Sequence, residues 1–392
     1  MSLNLEKSAW KRVALGHAVR HVTDRVDAES SGLERFLAGE HIPSGNLAIS
    51  EWGVIGRDPI GPMFYKRFKP GHVLYVSRRT YLRKVSVPDF EGITGEKTFV
   101  LESIQSDLLL QEFLPFVLTA ETFHEYAIAN SRGSVNPYLN WGELAGYEFD
   151  LPPLDEQKRI ADLLWAVERC NRAVKAVLQS SDAVSRQLRE EFIGSSERTT
   201  KAAEAFAITI GRQRAPRHET GDHIVPYLRS ANVTLAGVDL DDLKSMNFTP
   251  DEQAKFALKP GDVLVSEGSA SATAVGMPAV WNGERSGSVC FQNTLLRYRA
   301  IGGVTLAGFV EQWCRWAFET GEFLRVSSGT NIHHIGAGSA SGMDLHLPSI
   351  DEQAAFLAKV SAAAAAALAA SAEAAEIEAL RTAVLADLFG GN

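Results

Sequence analysis

Leu-Pro-Pro-Leu-Asp-Glu-Gln at residues 151–157 returns as Leu-Pro-Ser-Ile-Asp-Glu-Gln at residues 347–353, a shift of 196 positions. With the same shift Ser131, Gly133 and Ser134 fall on Ser327, Gly329 and Thr330, and Leu139 falls on Ile335, without a gap. Further upstream FKPGHVLYVS, ending at Ser77, matches LKPGDVLVSE, ending at Glu267, with a shift of 190, so insertions separate the two matches. Self-similarity at a long period marks a duplicated architecture. The chain divides accordingly into 1–150, 151–198, 199–346 and 347–392, two variable segments each followed by a segment headed by Asp-Glu-Gln.

Those headed segments are predicted to be long helices. From Ile160, apolar residues recur on a heptad as Ile160, Leu163, Val167, Cys170, Val174, Val177, Val184 and Leu188, with Ser181 and Glu191 as polar interruptions. Pro152 and Pro153 precede the run, Asp155 and Glu156 suit the positive end of a helix, and Gly194, Ser195 and Ser196 close it. About 40 helical residues span roughly 60 Å. The second run carries Phe356, Val360, Ala363, Ala367, Ala370, Ala374, Ile377, Val384 and Leu388, and ends in Gly390 and Gly391. Neither helix can bury its stripe alone, so an antiparallel two-helix coiled coil is expected, with the variable segments at its opposite ends. The variable segments read as mixed: strands at 73–77 and 262–266 after Lys-Pro-Gly turns, helices at 107–116 and 306–320, and a Gly- and Ser-rich loop at 327–342. The expected fold class is mixed α/β in two tandem pseudo-repeats.

A chain of 392 residues with 45% hydrophobic and 22% charged residues has the composition to bury sizeable cores, which argues against disorder and a fibrous form. Charges are expected to break the longest apolar stretches within about 12 residues, and residues 1–11 lack the apolar core of a signal peptide. A cytoplasmic protein without a membrane segment is therefore expected. Cys170, Cys290 and Cys314 lie far apart and are read as buried thiols in a reducing compartment. The net charge of -9 disfavours nucleic acid as a partner only if charge is spread evenly, and it is not. Between Pro59 and Pro88 there is no acid, while Lys66, Arg67, Lys69, Arg78, Arg79, Arg83 and Lys84 interleave with Phe64, Tyr65, Phe68, Tyr75 and Tyr81. Such a strip suits phosphate contacts together with base-edge or stacking contacts.

Other motifs lead nowhere. Asn136-Pro137-Tyr138 is one proline short of the signature with which amino-methyltransferases hold a flipped base, and its repeat counterpart is Ile332-His333-His334, so it reads as a loop. GITGEKT at 92–98 lacks phosphate-loop spacing and reads as a turn, and the glycines at 336, 338 and 342 follow no apolar strand. His333 and His334 are a poor metal pair without a third ligand. Asp155-Glu156 and Asp351-Glu352 sit at helix starts, where the helix dipole explains them.

The tandem [LI]Px[LI]DEQ segments, HIVPYLRSANV from His223, YLRKVSVPDFEGITGE from Tyr81, and Trp10, Val13, Leu15 and Gly16 near the N-terminus together resemble the DNA-specificity subunits of type I restriction-modification systems, over nearly the whole chain. The resemblance implies two target-recognition domains that each read half of a split site on double-stranded DNA, with the helices as spacer. It further implies docking of two methyltransferase subunits and of restriction/translocase subunits. No catalysis and no bound cofactor are expected of this chain; S-adenosylmethionine, ATP and Mg would sit on the partners. The run of alanines from Ala362 departs from the varied surface of such subunits. DNA-contact candidates are Lys66, Lys69, Arg78, Arg79, Tyr81, Arg83, Lys84 and Arg132 in the first half, and Arg229, Asn232, Ser269, Ser271, Gln292, Asn293, Asn331 and His333 in the second. A stand-alone DNA-binding regulator and, more remotely, a base-flipping methyltransferase are the rival readings.

Overall fold

The computed structural model describes residues 6–194, 197, 199–269, 271, 273–329 and 332–390. The chain forms two compact units, Met1–Ala176 with Ala370–Asn392, and Val177–Ala369. Each of the long helices, Leu154–Arg189 and Ile350–Phe389, contributes one part to either unit.

In the first unit a four-stranded sheet has the order Val19–His21, Thr98–Ser103, Val73–Val76, Val85–Ser86, with antiparallel neighbours. A second sheet has the order Gly53–Val54, Arg35–Leu37, Gly92–Gly95, Phe64–Phe68, and its central pair is parallel. The second unit repeats the plan. Phe206–Ile210, Leu295–Ala300, Asp262–Ser266 and Pro278–Trp281 form the first sheet; Lys244–Asn247, Ile224–Leu228 and Cys290–Phe291 form the other, again with one parallel pair. The chain enters each long helix from a short antiparallel pair, Lys11–Ala14 with Glu148–Leu151 and Thr200–Lys201 with Asp344–Leu345. The Lys-Pro-Gly turns lead into matching strands because Gly71 and Gly261 sit at φ +82° and +91°, where a side chain would be strained.

The helix expected at 306–320 forms as Ala307–Glu319. Its counterpart, expected at 107–116, is instead the short Leu114–Thr119. Pro115 lacks an N–H and is tolerated only in a first turn, so the helix starts there rather than running through it. The segment 327–342 is more than loop, since it holds the strand His333–His334 and the helix Ala337–Ser341.

The two helices meet in antiparallel order. In the first unit Ile160, Ala161 and Leu164 share a core with Val384, Leu385 and Leu388; in the second, Phe192 stacks on Phe356 at 4.3 Å. The seam of the second helix is as expected: Phe356, Val360, Ala370, Val384 and Leu388 are buried and Ala363, Ala367, Ala374 and Ile377 half-buried. The first helix turns differently. Ile160, Val167 and Val174 face inward, but the alternating positions between them are Leu164, Asn171 and Leu178, not Leu163, Cys170 and Val177. Leu163, Cys170, Val177 and Val184 form an exposed stripe at heptad spacing, so Cys170 is an exposed thiol while Cys290 and Cys314 are buried. A heptad admits steps of three-then-four or four-then-three from the same starting residue, and here the second wins because Leu164 drops into the first unit's core.

The helix Ile350–Phe389 is long and apolar enough to cross a membrane by length and composition, its most apolar 18-residue window having a mean hydropathy of 1.6. Its longest uncharged run is the 13 residues between Lys359 and Glu373, in keeping with the expected interruption by charges. The apolarity is alanine's, and the helix ends are packed into protein: Phe356 and Val360 in the core of the second unit, Val384, Leu385 and Leu388 in that of the first.

The seam carries one buried ion pair. Arg381 Nε donates to Glu168 Oε1 at 2.7 Å, with side chains only 8% and 4% exposed. Removing one partner strands a buried charge, whereas replacing both with apolar groups is close to neutral. Arg381→Met is therefore expected to lower the stability of the first unit by about 3 kcal/mol, and Glu168→Met added to it to restore most of the loss. Chemical denaturation of the two variants checks this; equal effects of the single and double substitutions would contradict the pairing.

Candidate nucleic-acid interface

The strand Val73–Val76 ends in Ser77, and the chain then turns through Arg78 to Arg83. Arg79 and Arg83 bracket the turn Thr80–Leu82 in the left-handed region at φ 56° and 53°. Each non-glycine residue held there costs about 1 kcal/mol, and such strain gathers at functional sites. Thr80 is buried beneath, its hydroxyl 2.7 Å from that of Ser131, so the turn is pinned while Arg78, Arg79 and Tyr81 are exposed. The loop at 132–138 closes against it. Arg78 and Arg132 both bridge Tyr138, the Arg79 amide donates to Pro137 O at 2.6 Å, and Arg79 Nε donates to Asn136 Oδ1 at 2.8 Å. Lys97, exposed on the turn between Gly92–Gly95 and Thr98–Ser103, lies 5.4 Å from the Tyr138 ring. A cleft of about 540 Å³ is lined by Arg78, Arg79, Lys84 and Lys97 and also by Glu40 and Glu96.

Four first-half candidates have other engagements. Lys66 is buried, because it shares the inward face of its strand with Phe68; its Nζ donates to Glu96 O at 2.6 Å and Thr98 O at 2.9 Å. Burial lowers its pKa to about 8, and it is not a surface phosphate contact. Arg83 forms a bidentate pair with Glu121, and Arg132 pairs with Glu143. Lys84 is half-buried and donates to Gly39 O. Lys69 is exposed but lies beyond the far end of its strand, beside the turn that opens Val73–Val76 rather than the turn that ends it.

The second unit builds the same edge from different residues. Glu267 takes the place of Ser77: its amide donates to Thr294 O as that of Ser77 donates to Lys97 O, and Ile335 donates to Glu267 O as Leu139 donates to Ser77 O. Gly268 and Ser269 pair with His334 and His333, and Ser328 bridges His334 as Arg132 bridges Tyr138. His334 Nδ1 lies 3.0 Å from Glu267 Oε2. Ser271 is exposed, with its hydroxyl 2.7 Å from that of Thr273 and its amide donating to Ser269 Oγ. Asn293 and Gln292 are half-buried beside Thr294, and Gln292 lines a cleft of about 500 Å³ together with Arg214, Tyr227, Arg229 and Lys244. Arg229 is paired with Asp242. Asn232 is no contact residue: it is 2% exposed and accepts from Arg229 N while donating to Asp239 O and Asp242 O, so it holds the Arg229 turn together. Asn331 lies outside the described residues.

Sequence reasoning missed Lys97, Asn136 and Tyr138 in the first unit and Arg214, Lys244 and the Glu267–His334 pair in the second. The signal for most of them was the repeat, since aligning Ser77 with Glu267 and Leu139 with Ile335 sets two stretches side by side. Lys97 was hidden in a turn, and Arg214 and Lys244 are brought together only by folding.

Two histidines of the first unit are kept neutral. Burial, and then the Lys66 charge, lower His21 to a pKa of about 4; burial, and then the Arg83 charge, do the same for His124. The unfolded chain takes up these protons first, near the ordinary value of 6.5. Their contribution to stability is thus full above about pH 6.5 and is lost as pH falls from 6.5 toward 4. Replacing both with Gln should flatten the pH dependence of urea unfolding in that window; an unaltered slope would contradict their burial in the neutral form.

Residues 64–180 match the family model described as the type I restriction modification DNA specificity domain, a stretch that includes the Arg78–Arg83 turn and most of the first long helix. No curated protein sequence matches the chain. Among solved structures, a chain from a type I R-M system solved for its complex assembly and conformational transition is 19% identical, with 98% of each chain covered and a TM-score of 0.57. The type I restriction-modification S subunit from M. genitalium is 12% identical, with 100% of each chain covered and a TM-score of 0.58. At such identities the likeness is one of fold. Residues 64–180 thus carry a type I restriction modification DNA specificity domain, and the chain as a whole shares the fold of these solved type I chains.

Proposed function

We propose that this chain is a DNA specificity subunit of a type I restriction-modification system and reads a bipartite site on double-stranded DNA, one half-site with each unit, from the edge at Arg78, Arg79, Lys97 and Tyr138 and its counterpart at Ser269, Gln292, Asn293 and His333. The observation that carries the reading is that one exposed edge, with the same backbone bonds, is built twice in one chain and furnished with different side chains each time. A shared frame with varied contacts is what two independent half-sites require. In the first unit the cations supply phosphate contacts for register, and Arg79, steadied through Nε by Asn136, is the base-reading side chain. In the second unit Arg214 and Lys244, ion-paired with Glu219 and Asp242 in the free chain, exchange those exposed partners for phosphates beside Gln292.

The chain performs no chemistry in this reading. It docks two methyltransferase subunits and restriction/translocase subunits in the cytoplasm, and those partners bind S-adenosylmethionine, ATP and Mg. The exposed heptad stripe of Leu163, Cys170, Val177 and Val184 supports a helical docking face, since it lies outside the seam.

Selection from random duplexes by the purified chain with its methyltransferase is the test. Two fixed half-sites with a constant gap are expected. Arg79→Ala should relax one base position of one half-site, and Arg78→Ala or Lys97→Ala should each reduce the salt slope of binding by about 1 while leaving the sequence profile intact. Lys66→Met should leave the slope unchanged. Selection of a single contiguous site, or tight specific binding that needs no methyltransferase and promotes no methylation, would favour a stand-alone regulator.

A further inference from the structure

Gln157 and Gln353, the last residues of the repeated heptapeptide, are 1% and 0% exposed. Gln157 Nε2 donates to Leu108 O at 2.9 Å and to Pro152 O at 2.8 Å, while its Oε1 accepts from Leu110 N at 2.9 Å. Gln353 Nε2 donates to Val304 O at 3.0 Å and to Pro348 O at 2.9 Å, and its Oε1 accepts from Leu306 N at 2.9 Å. Under the shift of 196 every partner of one glutamine falls on the corresponding partner of the other.

The bonds join three things: the first turn of a long helix, the proline-containing segment from which it emerges, and the loop that leads into the core helix Leu114–Thr119 or Ala307–Glu319. No other side chain satisfies all three backbone groups. Asn is one methylene too short, Glu lacks the two donors, and Met or Leu leaves a buried amide and two buried carbonyls without partners. Each glutamine thus fixes the direction in which its helix leaves its unit. The direction matters through leverage. A helix of 36 residues is about 54 Å long, so a change of about 10° at its start displaces its end by about 9 Å, close to three base pairs at about 3.4 Å each.

We infer that Gln157 and Gln353 are positioning residues that determine which gap between half-sites the protein accepts, without contacting DNA; this rests on the bipartite reading above. The test uses the full chain with its methyltransferase and duplexes carrying the selected half-sites with gaps altered by one to three base pairs. For Gln157→Met or Gln353→Met, the preference for the best gap over its neighbours should fall about tenfold while both half-site sequences stay as in the parent. A preserved gap preference with preserved folding would overturn the inference, and a merely structural role would lower the melting temperature without altering it. If the parent chain selects no bipartite site, the functional reading fails first and the inference falls with it. Should the variants not fold, amide exchange in the parent chain decides: Leu110 and Leu306 must exchange as slowly as helix-interior amides, and loop-like exchange at either would overturn the clamp.

Discussion

A primary carboxamide can satisfy two carbonyls and one amide at once, and this fold relies on that capacity twice. The loops that Gln157 and Gln353 hold pair only part of their own backbone and leave Leu108 O and Leu110 N, and Val304 O and Leu306 N, to the side chains; burying those groups unpaired would cost about 1 to 3 kcal/mol apiece. The glutamines therefore both close the loops and anchor the long helices. The acids beside them have simpler duties. Glu352 is part of a capping box with Ser349, whose hydrogen bonds hold its carboxyl below the ordinary range, and Glu156 pairs with Arg159 at 2.6 Å. First-helix Pro153 stands where Ser349 caps the second, so the duplication preserves the glutamine bonds more closely than the cap.

From these anchors the two units build one backbone edge with contrasting chemistry. In the first, arginines are projected from a strained turn and steadied by the loop at 132–138. In the second, the edge is made of small and neutral residues with a Glu267–His334 pair, and the cations have moved to the adjacent cleft at Arg214 and Lys244. Because the frame is carried by main-chain bonds, side chains on it can change without loss of fold. That separation of frame from contact is the property a family of sequence readers needs.

The helical seam illustrates how polar groups enter an otherwise apolar interface. Glu168 and Arg381 compensate each other across the seam inside the first unit, while in the second unit Arg189 leaves the seam and bonds to Glu319 and Gln312 of the core helix Ala307–Glu319. Such groups are costly to bury singly, so each constrains the axial register of its helix to the position where its partner waits.

How much of this was legible depended on the range of the interaction. The duplication, the mixed class, the long helices and their antiparallel order follow from local pattern: repeated motifs, heptad spacing, and the need of each stripe for a partner. The inward face of the second helix was readable because Phe356, Val360, Val384 and Leu388 leave one choice of stripe among alanines. On the first helix two stripes shared Ile160, Val167 and Val174, and only the unit's core, by admitting Leu164 and excluding Leu163, selected between them. Lys66 could have been set aside from its alternation with Phe68, whereas the ion pairs of Arg83 and Arg132 and the structural role of Asn232 involve partners up to 38 residues away that no spacing rule connects. Period and propensity act between neighbours and are written in the chain; which cation is left free for a ligand is settled by long-range pairing, which only the folded molecule decides.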